Sequence, residues 1–293
     1  MYNLLMGKRR FIVLILVYLF LIMPCFAIKI GLQTHVGRTF IGASTPAEII
    51  DVRTNKLLYV MDKMKGYEFK PYHNDMIAIK IDGQYRKIKT NQIVIKPEED
   101  GFVSVKRKWY RGHFKVINDG GSLTVMNDLP LEDYIQGVVP SEMPSGWEIE
   151  AHKAQAIAAR SYALANLGKR GKYGYDLKDT PEDQAYGGAS SETARTNQAV
   201  NETEGIVLVC QGKIVSAYYS ASAGGQTRTA GQVWLQDLPF IKSVPSFDDG
   251  IKKNGHGVGM SQYGANNLAK RGYNGYQILK YFYANTKFAR LKE

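Results

Sequence analysis

The sequence predicts an α+β fold in which an antiparallel β-rich unit precedes a core of mixed helices and sheet. Short runs of alternating polarity, separated by glycine-containing turns, fill residues 28 to about 127. An alanine-rich helical pattern and two C-terminal helical segments follow. We therefore divide the chain into a leader (1–27), a β-rich unit (28–119), a mixed core (120–287) and a tail (288–293).

The strands are predicted from their turns. Asp82-Gly83, Asp119-Gly120-Gly121 and Gln211-Gly212 each separate two short apolar-rich runs, which is the pattern of a β-hairpin. Residues 168–191 are polar and rich in Gly and Tyr, which is typical of a long binding loop.

The helices are predicted from capping signals and periodicity. Residues 130–138 form a short helix with Asn127 or Asp128 as its cap. Ser145 and Glu148 form a capping box for a helix that runs to Leu167. Two more helices are expected over 261–270 and 276–285.

The N-terminus is typical of an export signal. Lys8-Arg9-Arg10 precede an apolar run from Phe11 to Met23, and cleavage is expected after Ala27. Retention of the segment as a membrane anchor is the alternative, although the run is shorter than the roughly 20 residues of a membrane span. Pro24 before Cys25 argues against lipidation. The protein is therefore expected outside the cytoplasm, in the cell envelope, secreted or anchored.

Charge and cysteine content narrow the partners. The net charge of +11 falls to +8 without residues 1–27, which suits an anionic wall polymer or a membrane surface better than nucleic acid. A lysine excess that serves only solubility fits equally well. Cys210 alone remains after cleavage, so neither an intramolecular disulfide nor a cysteine metal cluster is expected, and Cys210 is predicted in the core.

Glu142 is the leading catalytic candidate, because Val138-Val139-Pro140 and Met143-Pro144 surround it with apolar residues. A carboxyl group in such surroundings favours the neutral form that a general acid needs. A surface carboxylate or a residue at a helix entry remains the alternative.

Two glycine-containing segments are candidates for ligand binding, since glycine lets a ligand approach bare backbone N–H groups. His256 alternatively bonds only a turn carbonyl. The candidate residues in these segments are Tyr218, Ser222, Gly224, Gly225, His256, Gly257, Gly259, Met260, Ser261 and Gln262.

Other chemistries fail against their motifs. A dinucleotide-binding motif that begins at Gly257 would need glycine at position 262, where the chain has Gln262. The sequence also contains no phosphate-binding loop motif. The nucleophile turn of a serine hydrolase, centred on Ser222, would need glycine at position 220, where the chain has Ser220. The five histidines lack metal-ligand spacing, so neither a metal nor a cofactor is expected.

Four segments in order resemble the SpoIID/LytB family of the bacterial cell envelope, over about residues 120–287. They are Val139-Pro140-Ser141-Glu142-Met143-Pro144, His152 to Leu164, Ser222-Ala223-Gly224-Gly225, and Gly255 to Ala265. The resemblance implies a SpoIID-like, peptidoglycan-acting core in which Glu142 is the catalytic acid/base and Gln184 and Tyr186 also match. Some members hold zinc, but Lys178 and Asp183 stand at the cysteine positions, and many have histidine where Ser220 lies.

The resemblance leaves two functions open. One is a lytic transglycosylase that cuts glycan strands between N-acetylmuramic acid and N-acetylglucosamine, as in the wall remodelling of sporulation. The other is a non-catalytic peptidoglycan-binding enhancer of a cell wall amidase. A purely structural envelope protein is a third reading. One carboxyl group suffices for the first function, because the sugar's own 6-hydroxyl replaces water.

Overall fold

The computed structural model describes residues 26–291. The predicted leader, residues 1–27, lies outside this range except for its last two residues. In the described part, no helix combines the length and apolarity needed to cross a membrane.

Within residues 26–291, twelve strands precede the first α-helix, and helices mixed with short strands follow, which confirms the predicted α+β fold class. The strands are β1 Ala27–Val36, β2 Thr39–Ala43, β3 Ala47–Asp51, β4 Leu57–Met61, β5 Tyr67–Tyr72, β6 Met76–Ile81, β7 Gln84–Ile88, β8 Gln92–Pro97, β9 Val103–Val105, β10 Lys108–Tyr110, β11 His113–Asp119, β12 Ser122–Pro130, β13 Leu177–Lys178, β14 Ile206–Cys210, β15 Lys213–Ile214, β16 Tyr219–Ser220, β17 Met260–Ser261 and β18 Lys287–Arg290. The helices are α1 Leu131–Glu142, α2 Ile149–Ala165, α3 Ala194–Glu202, α4 Gly231–Trp234, α5 Gln262–Lys270 and α6 Gly275–Phe282.

Two large sheets hold the N-terminal strands. One has the order β13-β1-β12-β11-β8-β3-β4, and the other has the order β10-β9-β2-β5-β6-β7. The predicted hairpins are present: Asp82-Gly83 joins β6 to β7 with positive φ at both residues, and Gln211-Gly212 joins β14 to β15. Every second residue from the start of β5 and along β6 is buried, namely Tyr67, Phe69, Ile77, Ile79 and Ile81.

The predicted unit boundary at 119/120 falls in the turn between β11 and β12. Both strands lie in the seven-stranded sheet, where β12 pairs with β1 as well as β11. The predicted tail likewise overlaps β18, which pairs with β14. The first boundary thus separates two hydrogen-bonded neighbours, and the second divides a strand. The division into units stays a prediction.

The first two helices differ from their predicted limits. Helix α1 extends to Glu142 and has no side-chain cap, because Asn127 is buried and donates instead to the carbonyl of Arg111 (2.9 Å). The prediction that Ser145 and Glu148 form a capping box is wrong. Helix α2 begins at Ile149, and Glu148 occupies the N-cap position without a side-chain cap.

Helix α2 runs between the two hydrophobic cores. Ala156, Ala159 and Ala163 belong to the core beneath the large sheets, while Ala154 and Ala158 pack into the core formed with β14, α5 and α6. A helix buried on all sides needs small side chains, which explains its alanine content. The core surrounding α2 also contains Cys210, as predicted.

Candidate active site

Glu142 lines a cavity of about 620 Å³ near the meeting point of the two cores. It is the last residue of α1, and the chain leaves the helix at once through Met143-Pro144. Met143 is buried and anchors this turn, since its N–H donates to the carbonyl of Val139 (3.0 Å). The apolar residues that marked Glu142 in the sequence thus fix its position at the cavity.

Three donors hold the carboxyl group of Glu142. Oε1 accepts from the backbone N–H of Ala185 (2.7 Å) and from the hydroxyl of Tyr219 (3.3 Å), and Oε2 accepts from Nε2 of Gln262 (3.4 Å). Among residues 26–291, no hydrogen bond reaches this group from the first turn of α2. Oε2, with one long contact, is therefore the oxygen better placed to carry a proton.

Burial raises the pKa of Glu142 above its ordinary value of 4.5. The hydrogen bonds from Ala185, Gln262 and Tyr219 act in the opposite direction, but burial outweighs them. Its place at the C-terminal end of α1 adds to the rise, because that end of a helix disfavours negative charge. The site favours the protonated form that a general acid requires.

A directional chain of hydrogen bonds stands behind Tyr219. Tyr134 donates to Oε1 of Gln184 (3.2 Å), and Nε2 of Gln184 donates to the hydroxyl of Tyr219 (2.8 Å). Burial raises the pKa of Tyr219 well above 10, so its hydroxyl stays protonated. Gln184 is fully buried and does not line the cavity. It positions Tyr219, which then donates to Glu142.

An aromatic wall, formed by Tyr218, Trp234 and His256, lines the same cavity as Glu142. Tyr218 packs against Trp234 with ring centroids 4.6 Å apart, and His256 lies 5.1 Å from Trp234. Trp234 is 41% exposed, so its ring is open to a ligand. Burial and the charge of Lys253 lower the pKa of His256. Its Nδ1 accepts from the N–H of Val258 (2.9 Å), so the neutral ring carries its proton on Nε2.

A second set of predicted residues surrounds Asp248 rather than the cavity. The buried Asp248 carboxylate accepts from the N–H groups of Ala223 and Gly225 (both 2.7 Å) and from Ser261 (2.6 Å), and Ser246 bonds it too. Burial opposes ionisation, but these donors lower the pKa of Asp248 overall. The turn around Gly224 and Gly225 and the start of α5 are thereby tied together.

Ser222 is also structural in this arrangement. It is fully buried, and its hydroxyl donates to the carbonyl of Lys252 (2.8 Å).

The remaining glycine-segment residues shape the backbone beneath the site. Met260 is buried and pairs with Tyr219 in a short parallel ladder. Gly259 lies beside that ladder with φ +76°, and a Cβ there would come within 2.0 Å of the Tyr218 carbonyl oxygen. The N–H of Gly257 donates to the hydroxyl of Ser220 (3.2 Å). Of the predicted binding residues, the structure brings Tyr218, His256 and Gln262 to the cavity with Glu142.

Tyr186 lies in the core instead. Its ring packs 4.9 Å from that of Tyr134, and its hydroxyl donates to Asn127 (2.8 Å). Sequence reasoning missed Trp234 and Asp248, and it did not find the Ala185 amide. No periodicity marks them, because all three lie in irregular or very short elements.

Lys178 and Asp183, the two residues whose identity argued against a zinc site in the sequence, belong to an ion-pair cluster. The buried Asp183 carboxylate bonds Lys169 Nζ (2.6 Å) and Arg170 Nε (2.5 Å), and it accepts from the N–H of Lys178 (2.8 Å). Two cations on one carboxylate do not fit a metal site. These donors outweigh burial and lower the pKa of Asp183. In residues 26–291, no group of three or more metal-ligating side chains is assembled.

Fold and cavity together define an α+β protein that holds one protonatable carboxyl in an aromatic-walled cavity. Residues 119–210 match the SpoIID family, described as Stage II sporulation protein. The predicted resemblance to the SpoIID family is confirmed over this part of the chain.

Three relatives illustrate this similarity. An uncharacterized protein of Brachyspira hyodysenteriae is 30% identical over 210 residues, covering 67% of this chain and 56% of that protein. The amidase enhancer of Bacillus subtilis is 38% identical over 156 residues, covering 52% of this chain and 21% of that protein. Stage II sporulation protein D of Bacillus amyloliquefaciens is 33% identical over 136 residues, covering 41% of this chain and 40% of that protein. Each alignment spans less than two thirds of the relative's length.

Proposed function

We propose that this protein acts on the bacterial cell wall as a lytic transglycosylase, cutting peptidoglycan glycan strands with Glu142 as general acid and base. One observation carries the proposal: Glu142 has a raised pKa, whereas the other carboxylates lining the cavity, Glu182 and Asp183, are ion-paired and have lowered pKa values. A mechanism with one proton-transferring carboxyl fits this inventory.

The reaction needs two proton transfers at Glu142. Protonated Oε2 gives its proton to the glycosidic oxygen as the bond to muramic C1 breaks. The carboxylate then takes the proton of the muramic 6-hydroxyl as that oxygen bonds C1, which forms an anhydro end without consuming water. The donors Ala185, Tyr219 and Gln262 stabilise the carboxylate between the two steps. Proton transfer of this kind typically contributes about 10²–10⁴-fold.

The aromatic wall supplies a binding surface for sugar rings. A pyranose ring has an apolar face of C–H groups that packs on an aromatic ring, and its hydroxyls bond polar groups at the rim. Trp234 and Tyr218 offer the rings, and His256 and Gln262 offer polar groups.

The alternative is a non-catalytic peptidoglycan-binding enhancer of a cell wall amidase. The similarity to the Bacillus subtilis amidase enhancer favours it. Either function requires export, so we propose that the N-terminal segment directs the protein to the cell envelope as a cleaved signal or as a membrane anchor.

Incubation of the purified protein with glycan strands freed of stem peptides, without an amidase, separates the two functions. Mass spectrometry should detect anhydromuramyl ends with the wild type and none with Glu142→Gln. Absence of such ends with the wild type, together with faster release of stem peptides when the protein and an amidase are added to intact peptidoglycan, would establish the alternative.

A further inference from the structure

A second cavity, of about 560 Å³, lies on the six-stranded sheet and shares no residue with the Glu142 cavity. Its lining within the described residues includes four cations, two aromatic rings and no acidic side chain. The cations and rings are Arg38, Phe40, Lys65, Lys106, Arg107 and Trp109. Phe40 is 58% exposed, an unusual exposure for a large apolar ring on a strand that otherwise faces the core.

Gly42 forms the floor of this cavity. Its strand partner Ser104 pairs in turn with Trp109, so the three residues form one row across the sheet. A Cβ at Gly42 would come within 3.0 Å of the Ser104 hydroxyl oxygen and 3.3 Å of the Lys65 carbonyl oxygen. Glycine therefore keeps the floor low between the two aromatic rings.

The positive charge of the chain is concentrated in residues 28–119, which contain this sheet. Residues 28–119 contain 17 lysines and arginines against 10 acidic residues, whereas residues 120–293 contain 18 against 17. Lys65 and Lys106 are paired with Asp62 (3.0 Å) and Asp179 (3.5 Å). Arg38 and Arg107 form no ion pair within residues 26–291. Both guanidinium groups are available to an anion.

The turn between β9 and β10 has residues that are unfavourable at its backbone conformation. Lys106 and Arg107 have φ values of +52° and +61°, which side chains with a Cβ adopt at a steric cost. Such turns favour Asn-Gly or Asp-Gly, and this chain uses Asp82-Gly83 where it turns from β6 to β7. The turn thus holds two cations side by side in the lining of the cavity.

We propose that this cavity binds an acidic glycan, a chain of pyranose rings that bear carboxylates. The rings pack on Phe40 and Trp109, while Arg38 and Arg107 bond the carboxylates. This site does not depend on whether Glu142 cuts.

The basic cavity is physically connected to the candidate active site. Lys106 pairs with Asp179, and the N–H of Trp109 donates to the hydroxyl of Ser190 (2.8 Å). Both partners belong to residues 168–191, the segment whose Ala185 amide bonds Glu142. A strand held in the basic cavity is therefore held beside the segment that shapes the Glu142 cavity.

Binding measurements on the full chain test the proposal. In a Glu142→Gln background, which prevents cutting, the probes are glycan strands freed of stem peptides, chitin oligomers of similar length, and vesicles of phosphatidylglycerol. The muramic residues of the first probe carry carboxylates, and chitin has none. We expect the first probe to bind at least about tenfold more tightly than chitin and the vesicles not to bind.

Two double variants complete the test. Lys106→Asn with Arg107→Gly should weaken binding of the acidic glycan about tenfold, because it removes two of the four cations while Asn-Gly suits the same turn. The matched control, Lys213→Gln with Lys270→Gln, removes the same charge from exposed positions elsewhere and should leave binding within about twofold. Equal affinity for chitin, binding to vesicles but not to glycan, or undiminished binding by the turn variant would each overturn the proposal.

Discussion

The hydroxyl of Tyr219 lies 3.3 Å from Oε1 of Glu142 and donates its proton there. Gln184 fixes the direction of this hydrogen bond. Because Gln184 donates to the same hydroxyl, the Tyr219 hydroxyl acts as the donor toward the carboxylate. Tyr219 thus orients the candidate catalytic group and tempers the rise in its pKa. The sharpest predictions about the site begin from this pair.

Tyr219→Phe removes one donor from the carboxylate and should raise the pKa of Glu142 further, because the hydrogen bond from Tyr219 lowers that pKa. Since the first step needs the protonated acid, the alkaline limb of the pH–rate profile should move to higher pH. Tyr162→Phe is the control, because Tyr162 lines the same cavity and bonds Lys169 rather than Glu142. An unmoved limb, or one displaced to lower pH, contradicts this role for Tyr219.

Glu142→Gln should change the pH dependence of stability. A carboxyl whose pKa is raised in the folded state stabilises that state fully below its unfolded pKa and loses this contribution as pH rises through the folded pKa. The wild type should therefore lose stability relative to the variant as pH rises from acid to neutral. Urea midpoints measured across that range give the difference. Glu204→Gln, an exposed site, should show no such trend.

Trp234→Ala should raise KM for glycan strands about tenfold and lower kcat much less, because the ring contacts substrate in both the ground and transition states. Trp234→Phe should recover most of the affinity. Trp147→Ala serves as the control, since Trp147 packs on Tyr263 and does not line the cavity. Steady-state kinetics decide the matter, and a fall in kcat alone would argue against a binding surface.

Asp248→Asn should destabilise the fold by about 2–4 kcal/mol, because the new amide group faces donors that lose their charged acceptor. Its pKa is lowered, so its stabilisation is present above the unfolded value and is lost as pH falls through the folded value. The variant's deficit in urea unfolding should therefore shrink in acid. The adjacent Asp249→Asn, at an exposed position, should cost little; equal deficits would refute the anchoring role of Asp248.

Hairpins and helix α5 were predictable because their signals are local. Asp82-Gly83 specifies a turn by backbone geometry alone, and Ser261 caps α5 by bonding the N–H of Gly264 (3.1 Å). Glu142 was also accessible, since its apolar neighbours stand beside it in the chain. The capping box at Ser145 failed for a long-range reason: the N–H of Glu148 donates to Asn266 of α5 (3.0 Å).

The rest of the site was hidden for the same reason. Ala185 contributes a backbone amide, which has no sequence signature. Trp234 ends the four-residue helix α4 and Asp248 lies in an irregular segment, so neither residue period nor motif marks them. Ser222, Gly224 and Gly225 were found through their motif, but the motif reflects the anchoring of Asp248 rather than contact with the cavity.

Cleavage of glycan strands in water labelled with the heavy oxygen isotope tests the central claim most directly. If Glu142 first protonates the glycosidic oxygen and then deprotonates the muramic 6-hydroxyl, the wild type should release anhydromuramyl ends without label, and Glu142→Gln should release none. Labelled reducing ends, or unlabelled ends released equally by the variant, would contradict the assignment of Glu142 as the acid and base of a lytic transglycosylase.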